Sequence, residues 1–332
     1  MSGGIDSTYC VSELKKSGYE VIGAVLKMHD FTDVAGAKKY AALLDIPLRE
    51  VDCREKFDER VKSYFALEYS KGRTPNPCAI CNREVKFELL LAEADALGCD
   101  FVATGHYAGV HECGGRYYVT RGSDAKKDQS YMLWKLSQEQ LSRVIFPLEK
   151  LKKDDIRRAL GETLPETAHL GESEDICFLP DSTPLEFVES VYGKSREGDF
   201  IDKNGNFLGK HKGIPNYTVG QRRGLGVAAG HRIFVTKINP DDNTITLGED
   251  GDLLSCTMTV SELNFQKCAM SDGDTACLSV KVRYAAKPVK ADVTICGNKA
   301  EVAFSSPARA VAPGQSAVFY DDDGIVFGGI IE

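Results

Sequence analysis

Hydrophobic and polar positions change their spacing along the N-terminal third of the chain. Short β-rich runs occupy residues 21–26, 48–53 and 101–104. Helical patterns flank these runs, at residues 7–16, 34–44, 55–71 and 84–97. Because strands that alternate with helices pair in parallel, this region predicts an α/β domain with a parallel sheet and helices on both faces.

The pattern changes in the rest of the chain. From about residue 198, helical patterns almost vanish, and short apolar runs are separated by Asn, Asp, Gly and Pro. This texture is typical of antiparallel β-structure and predicts one or two small barrels. We therefore predict an α/β domain at residues 1–145, a central domain at 146–251 and a C-terminal β-barrel domain at 252–332. An acidic, aperiodic segment at residues 163–175 predicts a loop.

Composition and charge narrow the class of protein. The 332 residues are 42% hydrophobic and 27% charged, the balance of a globular protein of two or three domains. No apolar run approaches the roughly 18 residues of a membrane span, and the N-terminus lacks the pattern of a signal peptide. We therefore expect a cytoplasmic protein without a membrane partner. The net charge of −8 argues against indiscriminate nucleic-acid binding, yet residues 203–240 hold seven Lys or Arg and no Asp or Glu.

The glycine-rich opening, SGGIDS at residues 2–7, precedes an amphipathic helix. Two glycines let the backbone approach a ligand, and amides at a helix N-terminus attract an anion such as phosphate. Ser2 and Ser7 offer hydroxyls, and Asp6 is a candidate metal ligand or helix cap. The alternative from these residues alone is an ordinary N-terminus that ends in an N-cap. The complete string resembles the pyrophosphate loop of the PP-loop ATPases, which cleave ATP between its α and β phosphates to adenylate a substrate.

Three of the eleven cysteines lie in contexts that suggest chemistry. Cys78 and Cys81 form a CxxC pair after a Pro-rich turn and at the start of a predicted helix, where the helix dipole is expected to lower their pKa. The spacing fits a redox pair, half of a zinc site, part of an iron–sulfur site, or two buried structural cysteines. Cys177 follows the acidic segment and by itself is typical of a core cysteine. The odd total excludes complete internal pairing and favours a reducing compartment.

Seven motifs occur in one order along the chain. They are GRTPNPCAICNREVKF, ATGHYA, KDQSYML, SEDICF, TVGQRRGLG, KVRYAA and PGQSAVFY. The sequence resembles the bacterial tRNA-specific 2-thiouridylases essentially from end to end. The resemblance implies a PP-loop ATPase domain followed by two small β domains. It also implies ATP-dependent 2-thiolation of the wobble uridine of lysine, glutamate and glutamine tRNAs. In this reaction the C2 oxygen is adenylated, a cysteine persulfide supplies sulfur, and AMP and pyrophosphate are released.

The resemblance also implies roles for individual residues. Those matching the ATP site are Met1, Ser2, Gly3, Gly4, Ile5, Asp6, Ser7, Leu26 and Gly105. Those matching tRNA contacts are Asn76, Pro77 and Cys78 at the target base, then His106, Lys127, Asp128, Gln129, Arg283, Tyr284 and Gln315. Cys177 matches the persulfide carrier, on a segment at residues 165–182 that returns to the first domain. Cys81 matches its partner, which releases the sulfur or closes a disulfide with Cys177.

Cys78 departs from the best-known members of the family, which carry Asp there as a general base. A thiol replaces that base only if its pKa is low. Alternatively, Cys78, Cys81 and Cys177 supply three thiolates to an iron–sulfur cluster. The expected cofactors are therefore ATP and Mg²⁺, with the cluster left open. The expected partners are tRNA and a sulfur donor, either a cysteine desulfurase or a sulfur-relay protein.

Two further points follow from the sequence. A pyrophosphate loop should leave the carboxyl end of a strand, but only Met1 precedes Ser2, so the first strand that the family carries is expected to be missing through a truncation or a misassigned start. Two other functions stay open. One is a non-catalytic iron–sulfur or metal-binding module, and the other is a different PP-loop adenylating ligase.

Overall fold

A computed structural model describes residues 1–165, 167, 176–180 and 182–332. The predicted acidic loop lies mostly outside these residues. Within them, the helices are α1 Ile5–Lys16, α2 Val34–Leu43, α3 Arg54–Phe57, α4 Ser63–Ser70, α5 Pro77–Cys81, α6 Phe87–Leu97, α7 Gln138–Ser142, α8 Lys153–Thr163 and α9 Pro184–Tyr192. Two π turns, Asp58–Lys62 and Asn82–Lys86, join α3 to α4 and α5 to α6. Short 3₁₀ turns lie at Ser130–Leu133, Ile214–Asn216 and Asp250–Leu253.

The strands fall into an N-terminal and a C-terminal set. The first set is β1 Gly23–Lys27, β2 Leu48–Asp52, β3 Val102–Ala103, β4 Ala108–Cys113, β5 Arg116–Arg121 and β6 Val144–Ile145. The second set is β7 Gly198–Ile201, β8 Phe207–His211, β9 Phe234–Asn239, β10 Thr244–Gly248, β11 Leu254–Phe265, β12 Thr275–Lys281, β13 Val289–Cys296, β14 Lys299–Arg309, β15 Ser316–Tyr320 and β16 Ile325–Ile331. None of the helices among the described residues is long and apolar enough to cross a membrane.

The N-terminal domain is built on parallel strand pairs, as the alternating pattern predicted. β1 pairs in parallel with β2, and β3 pairs in parallel with β6. β4 and β5 add an antiparallel hairpin. The predicted helix at residues 55–71 is interrupted by the first π turn, and the one at 84–97 is preceded by the second, so the hydrophobic pattern located both helices but not their wider turns.

The two C-terminal domains are β-structures. In the central domain, β8, β7, β10 and β9 form a sheet in that order around a core that includes Phe200, Val235 and Ile245. In the last domain, β11, β14, β13, β12, β15 and β16 close into a barrel. Phe319 and Phe327 stack inside it with ring centroids 4.2 Å apart. The predicted fold class, an α/β domain followed by small β domains, is confirmed.

The C-terminal barrel packs directly against the first domain. Trp134 and Tyr131 share one hydrophobic cluster with Val318, Tyr320 and Ile330 of the barrel. A Cβ atom at Gly328 would lie 2.7 Å from the Trp134 ring, so this contact requires glycine. The barrel therefore lies against the part of the chain that carries the CxxC motif.

Candidate active site

Residues 2–7 fold tightly around the N-terminus of α1. Gly3 has a φ of +78°, and a Cβ atom there would lie 3.1 Å from the backbone of α2. The Ser2 N–H donates to Ser7 Oγ at 3.1 Å, and the Gly4 N–H donates to Ser2 Oγ at 3.4 Å. Gly4 is the N-cap of α1, and no side chain caps this end. The first-turn amides of α1 therefore face the loop without a side-chain acceptor, an arrangement that suits a phosphate.

Asp6 binds neighbouring side chains instead of capping the helix. Lys153 Nζ lies 2.7 Å from Asp6 Oδ1 and 2.8 Å from Oδ2. The Tyr107 hydroxyl donates to Oδ1 at 2.7 Å. The pKa of Tyr107 is raised, first by burial and then by this hydrogen bond to a carboxylate. The prediction that Asp6 caps α1 is wrong. A metal ion bound by Asp6 would have to displace Lys153, whose Nζ contacts both carboxylate oxygens.

Gly105, Leu26 and Met1 also match the family ATP site. A Cβ atom at Gly105 would lie 3.0 Å from Asp6 Cβ and 3.2 Å from Ser7 N, so Gly105 packs against the start of α1. Leu26 is buried near the end of β1. The Met1 amine donates to the Ala24 carbonyl, and burial lowers the pKa of that amine to about 6.

A polar cavity of about 480 Å³ opens at the carboxyl ends of β1 and β2. Its lining residues are His29, Asp30, Asp52, Arg54, Glu55, Asp58 and Lys62. Arg54 binds Asp52 at 2.6 Å and Asp30 at 3.0 Å across the two strand ends. This edge is where ligands bind in open α/β sheets. No local motif distinguishes these residues in the sequence.

The CxxC motif lies on α5, whose N-terminus is capped. Asn76 is the N-cap, and its Oδ1 accepts from the Ala79 N–H at 3.4 Å. Pro77 occupies the first helical position, where a backbone N–H would have no hydrogen-bond partner within the helix, so the absence of that N–H costs no hydrogen bond. Cys81 is buried, with Sγ 3.7 Å from the Met28 sulfur, whereas Cys78 is exposed.

The Cys177 segment lies beside α5. Phe178, the next residue, makes edge contacts with Phe57 at 5.6 Å and Phe65 at 5.2 Å between ring centroids. Phe178 and Leu179 belong to the same hydrophobic cluster as Cys81. The structure therefore brings Cys177 into the neighbourhood of the CxxC helix, although the chain between them includes residues that are not described.

The three thiols interact electrostatically, and their pKa values are raised. Desolvation by the surrounding protein is the largest cause for all three thiols, although Cys78 and Cys177 keep exposed surface, and it raises the pKa of the buried Cys81 to about 12. Each of Cys78 and Cys177 also raises the pKa of Cys81, while Lys86 lowers all three. The prediction that the helix start lowers the pKa of the CxxC thiols is wrong, because desolvation is the largest effect on both thiols and raises their pKa.

The cysteines are neither bonded to each other nor arranged as a metal site. Cys78, Cys81 and Cys177 are free thiols in this structure. Over the described part of the chain, no group of three or more His, Cys, Asp or Glu side chains is placed to hold a metal ion. In this conformation the three thiols therefore share a neighbourhood without offering the ligand geometry that an iron–sulfur cluster needs.

Comparisons with known proteins agree with this architecture. The family model described as tRNA methyl transferase HUP domain matches residues 1–181. A tRNA methyl transferase PRC-barrel domain matches residues 185–249, and an aminomethyltransferase beta-barrel domain matches residues 255–331. The tRNA-specific 2-thiouridylase MnmA of Clostridium perfringens is 41% identical, over 100% of this chain and 97% of the relative. The proteins of the same name from Caldicellulosiruptor saccharolyticus and Cytophaga hutchinsonii are 40% and 39% identical, again over 100% of this chain.

The chain belongs to the tRNA-specific 2-thiouridylase family. This confirms the resemblance on which the residue assignments depend. The roles of the individual residues stay predictions.

Several residues that match tRNA contacts of this thiouridylase family bind other protein groups here. Asn76 is 6% exposed, and its Nδ2 donates to Ser316 Oγ at 3.0 Å. Asp128 Oδ1 accepts from the Ser130 N–H at 3.1 Å, and Gln129 Oε1 accepts from the Tyr107 N–H at 3.1 Å. These three side chains therefore stabilise backbone and side-chain positions in the free protein.

Other predicted tRNA residues lie between the domains. Arg283 donates to the Val219 carbonyl of the central domain and to the Ala310 carbonyl of the barrel domain, and burial lowers its pKa. The Tyr131 hydroxyl lies 3.4 Å from Gln315 Oε1. Tyr284 is 40% exposed. Lys281, which the sequence analysis did not select, has its Nζ 5.4 Å from the Tyr284 ring centroid.

His106 differs from an ordinary surface contact. Its Nδ1 lies 2.7 Å from Thr104 Oγ1, and its ring stacks on Phe87. Burial lowers its pKa well below the usual value, so the ring is neutral at physiological pH. In this state His106 offers hydrogen bonds but no positive charge to a nucleic acid.

The basic stretch of the central domain is open to solvent. All seven of its Lys and Arg side chains are exposed: Lys203, Lys210, Lys212, Arg222, Arg223, Arg232 and Lys237. Lys210 forms an ion pair with Asp199. An exposed basic surface on an otherwise acidic protein is suited to phosphate contacts.

Proposed function

We propose that this protein is an ATP-dependent tRNA uridine 2-sulfurtransferase. The observation that carries the proposal is a shared hydrophobic cluster. Leu26, which matches the family ATP site, packs in the same cluster as Cys81 and as Phe178, the residue after Cys177. This packing supports a nucleotide site close to the cysteines, as an enzyme that adenylates a base and then sulfurates it requires.

The first step follows from the loop. The C2 oxygen of uridine attacks the α-phosphate of ATP, and pyrophosphate leaves. This step converts an amide-like oxygen, a poor leaving group, into one that departs as AMP. The uncapped N-terminus of α1 and the Ser2 and Ser7 hydroxyls stabilise charge on the phosphates. Mg²⁺ is expected to arrive with ATP, since Lys153 already engages Asp6.

The second step uses the cysteines. The terminal sulfur of a persulfide on Cys177 attacks C2, and AMP leaves. Cys81 then loses its proton and attacks Cys177 Sγ. This breaks the bond between the two persulfide sulfurs, leaves a C2 thiocarbonyl on the tRNA, and forms a Cys81–Cys177 disulfide. A thiol reductant must return the two electrons, and a sulfur donor must reload Cys177. The exposure of Cys177 supports access by such a donor.

The structure argues against Cys78 as the general base in the free protein. Desolvation by the surrounding protein raises its pKa above that of an ordinary thiol, so at neutral pH Cys78 carries its own proton and does not accept another. The cluster route is the second candidate, favoured only by the mutual interaction of the three thiols. Anaerobic purification followed by iron and sulfide analysis decides between them: the persulfide route predicts active protein without iron.

The direct test uses purified protein, unmodified transcripts of the lysine, glutamate and glutamine tRNAs, ATP, Mg²⁺ and a sulfur source. We expect 2-thiouridine and AMP to appear in equal amounts, measured by mass spectrometry of nucleosides and by chromatography of nucleotides. A non-catalytic metal-binding module would give neither product. A different adenylating ligase would give AMP with no thiouridine. Either result would contradict the proposal.

A further inference from the structure

Lys153 lies where the pyrophosphate loop, β4 and α8 meet. Its side chain is 10% exposed, and its Nζ contacts both carboxylate oxygens of Asp6 at 2.7 and 2.8 Å. Tyr107, just before β4, shares the same carboxylate. A lysine that is almost buried and engages both oxygens of one carboxylate holds that carboxylate in a single orientation.

The position of Lys153 in its helix is unfavourable unless Asp6 is present. Lys153 is the first residue of α8, where the helix dipole disfavours a cation. The next two residues, Asp154 and Asp155, follow the usual preference for acids in the first turn. Its backbone N–H donates to Asp124 Oδ2 at 3.1 Å, which fixes the start of the helix. The side chain is therefore placed for its contact with Asp6 and not for the stability of α8.

The Lys153–Asp6 pair joins α8 to the helix that carries the loop. α1 carries the loop, and α8 packs on it through a cluster that includes Ile5, Cys10, Ile156 and Leu160. α8 ends at Thr163, fourteen positions before Cys177 (177 − 163). The pair thus links the phosphate site to the helix that precedes the sulfur-carrying segment.

We propose that Lys153 is a positioning residue for the ATP site that acts through Asp6. It neutralises the Asp6 carboxylate at the start of α1 and fixes its orientation, so that the loop accepts the negative phosphates of ATP. This inference rests on the proposed function, because it assumes that residues 2–7 bind ATP. Without Lys153, an uncompensated carboxylate remains beside the phosphates and repels them.

The test compares Lys153→Met, Lys153→Arg, Asp6→Asn and the double variant Asp6→Asn/Lys153→Met. Lys152→Met is the matched control, since it removes an exposed lysine one position earlier. The measurements are the Kd for ATP by calorimetry, KM for ATP, kcat, the Kd for tRNA, and the melting temperature.

We expect Lys153→Met to raise the Kd and KM for ATP by about tenfold, the order expected for one uncompensated charge near the phosphates. The Kd for tRNA should stay unchanged. Lys153→Arg should restore most of the ATP affinity, because Arg pairs with a carboxylate through two bonds. In the Asp6→Asn background, Lys153→Met should have little further effect, because Lys153 acts through Asp6.

An unchanged Kd for ATP in Lys153→Met would overturn the inference. So would an equal loss from Lys153→Met in both backgrounds, which would mean that the ammonium contacts phosphate directly. If Lys153→Met does not fold, Lys153→Arg and the double variant replace it. No charge is left unpaired in the double variant, so its Kd for ATP is compared with that of Asp6→Asn. Failure of the wild-type protein to form thiouridine would refute the proposed function, whereas calorimetry with ATP alone would still test Lys153.

Discussion

Replacing Asn76 separates two interpretations of the same residue. The family resemblance assigns Asn76 to the target base. In the structure it caps α5 through Oδ1 at 3.4 Å and donates from Nδ2 to Ser316 Oγ at 3.0 Å in the barrel. Its side chain is buried, so both contacts are shielded from water. Asn76→Ala should therefore destabilise the protein even without tRNA.

The expected magnitude follows from the two contacts. The long cap bond is worth about 0.5 kcal/mol, the low end for N-caps. The bond to Ser316 is worth about 1 kcal/mol, as a neutral buried hydrogen bond. Ser316 Oγ keeps its second donor, Trp134 Nε1 at 2.9 Å, so it is not left without a partner. We expect Asn76→Ala to lower the free energy of unfolding by about 1.5 kcal/mol in total.

The assay is urea denaturation followed by tryptophan fluorescence, because the chain has one Trp, Trp134, and it lies at this interface. Asn76→Ser is the matched control: serine still caps a helix but is too short to reach Ser316, so about two-thirds of the loss should remain. Thiouridine formation is measured on the same samples. If Asn76→Ala has an unchanged free energy of unfolding but no longer forms thiouridine, the structural interpretation is refuted. Contact with the target base would then be the supported role of Asn76.

Three other predictions follow from the site and its surroundings. Cys177→Ser should abolish thiouridine formation while the Kd for tRNA persists; thiouridine formed by the purified variant would exclude Cys177 as the sulfur carrier. Replacing exposed Arg222 and Arg223 together with Ala should weaken tRNA binding and reduce the slope of log K against log salt by about one unit for each lost phosphate contact. An unchanged slope would mean that these two residues do not contact tRNA phosphates. Alkylation of Cys81, followed by mass spectrometry, should still rise with pH at about pH 10, where a thiol of ordinary pKa has levelled off, because desolvation raises the pKa of Cys81 to about 12. A plateau near pH 8 would contradict the burial of its thiol.

The sequence predicted the fold well because its patterns are local. The parallel pairing of β1 with β2 followed from alternating apolar strands and amphipathic helices. The wider π turn at Asn82–Lys86 was missed, since one extra residue in a turn leaves the hydrophobic periodicity almost unchanged. The β-structure of the two later domains followed from short apolar runs separated by turn residues, although the order of strands in the barrel depends on long-range pairing that no local pattern contains.

The site was predicted less completely, for a related reason. Motifs located the loop at residues 2–7, the CxxC pair and Cys177, and the structure places the three thiols in one electrostatic neighbourhood. Lys153 could not be found, because 147 positions separate it from Asp6 and it lies in no motif. The raised thiol pKa was also missed, since desolvation depends on what packs around α5 and not on the spacing of its cysteines.

Single-turnover sulfur transfer separates ATP-dependent persulfide chemistry from the other routes. Iron-free protein is loaded with a ³⁵S persulfide, freed of the donor, and mixed with tRNA with or without ATP. We expect the label to move from Cys177 to the wobble uridine only with ATP, with one AMP released per thiouridine and a Cys81–Cys177 disulfide left in the protein. Transfer without ATP, or no transfer until iron is restored, would refute persulfide transfer from Cys177 to an adenylated uridine.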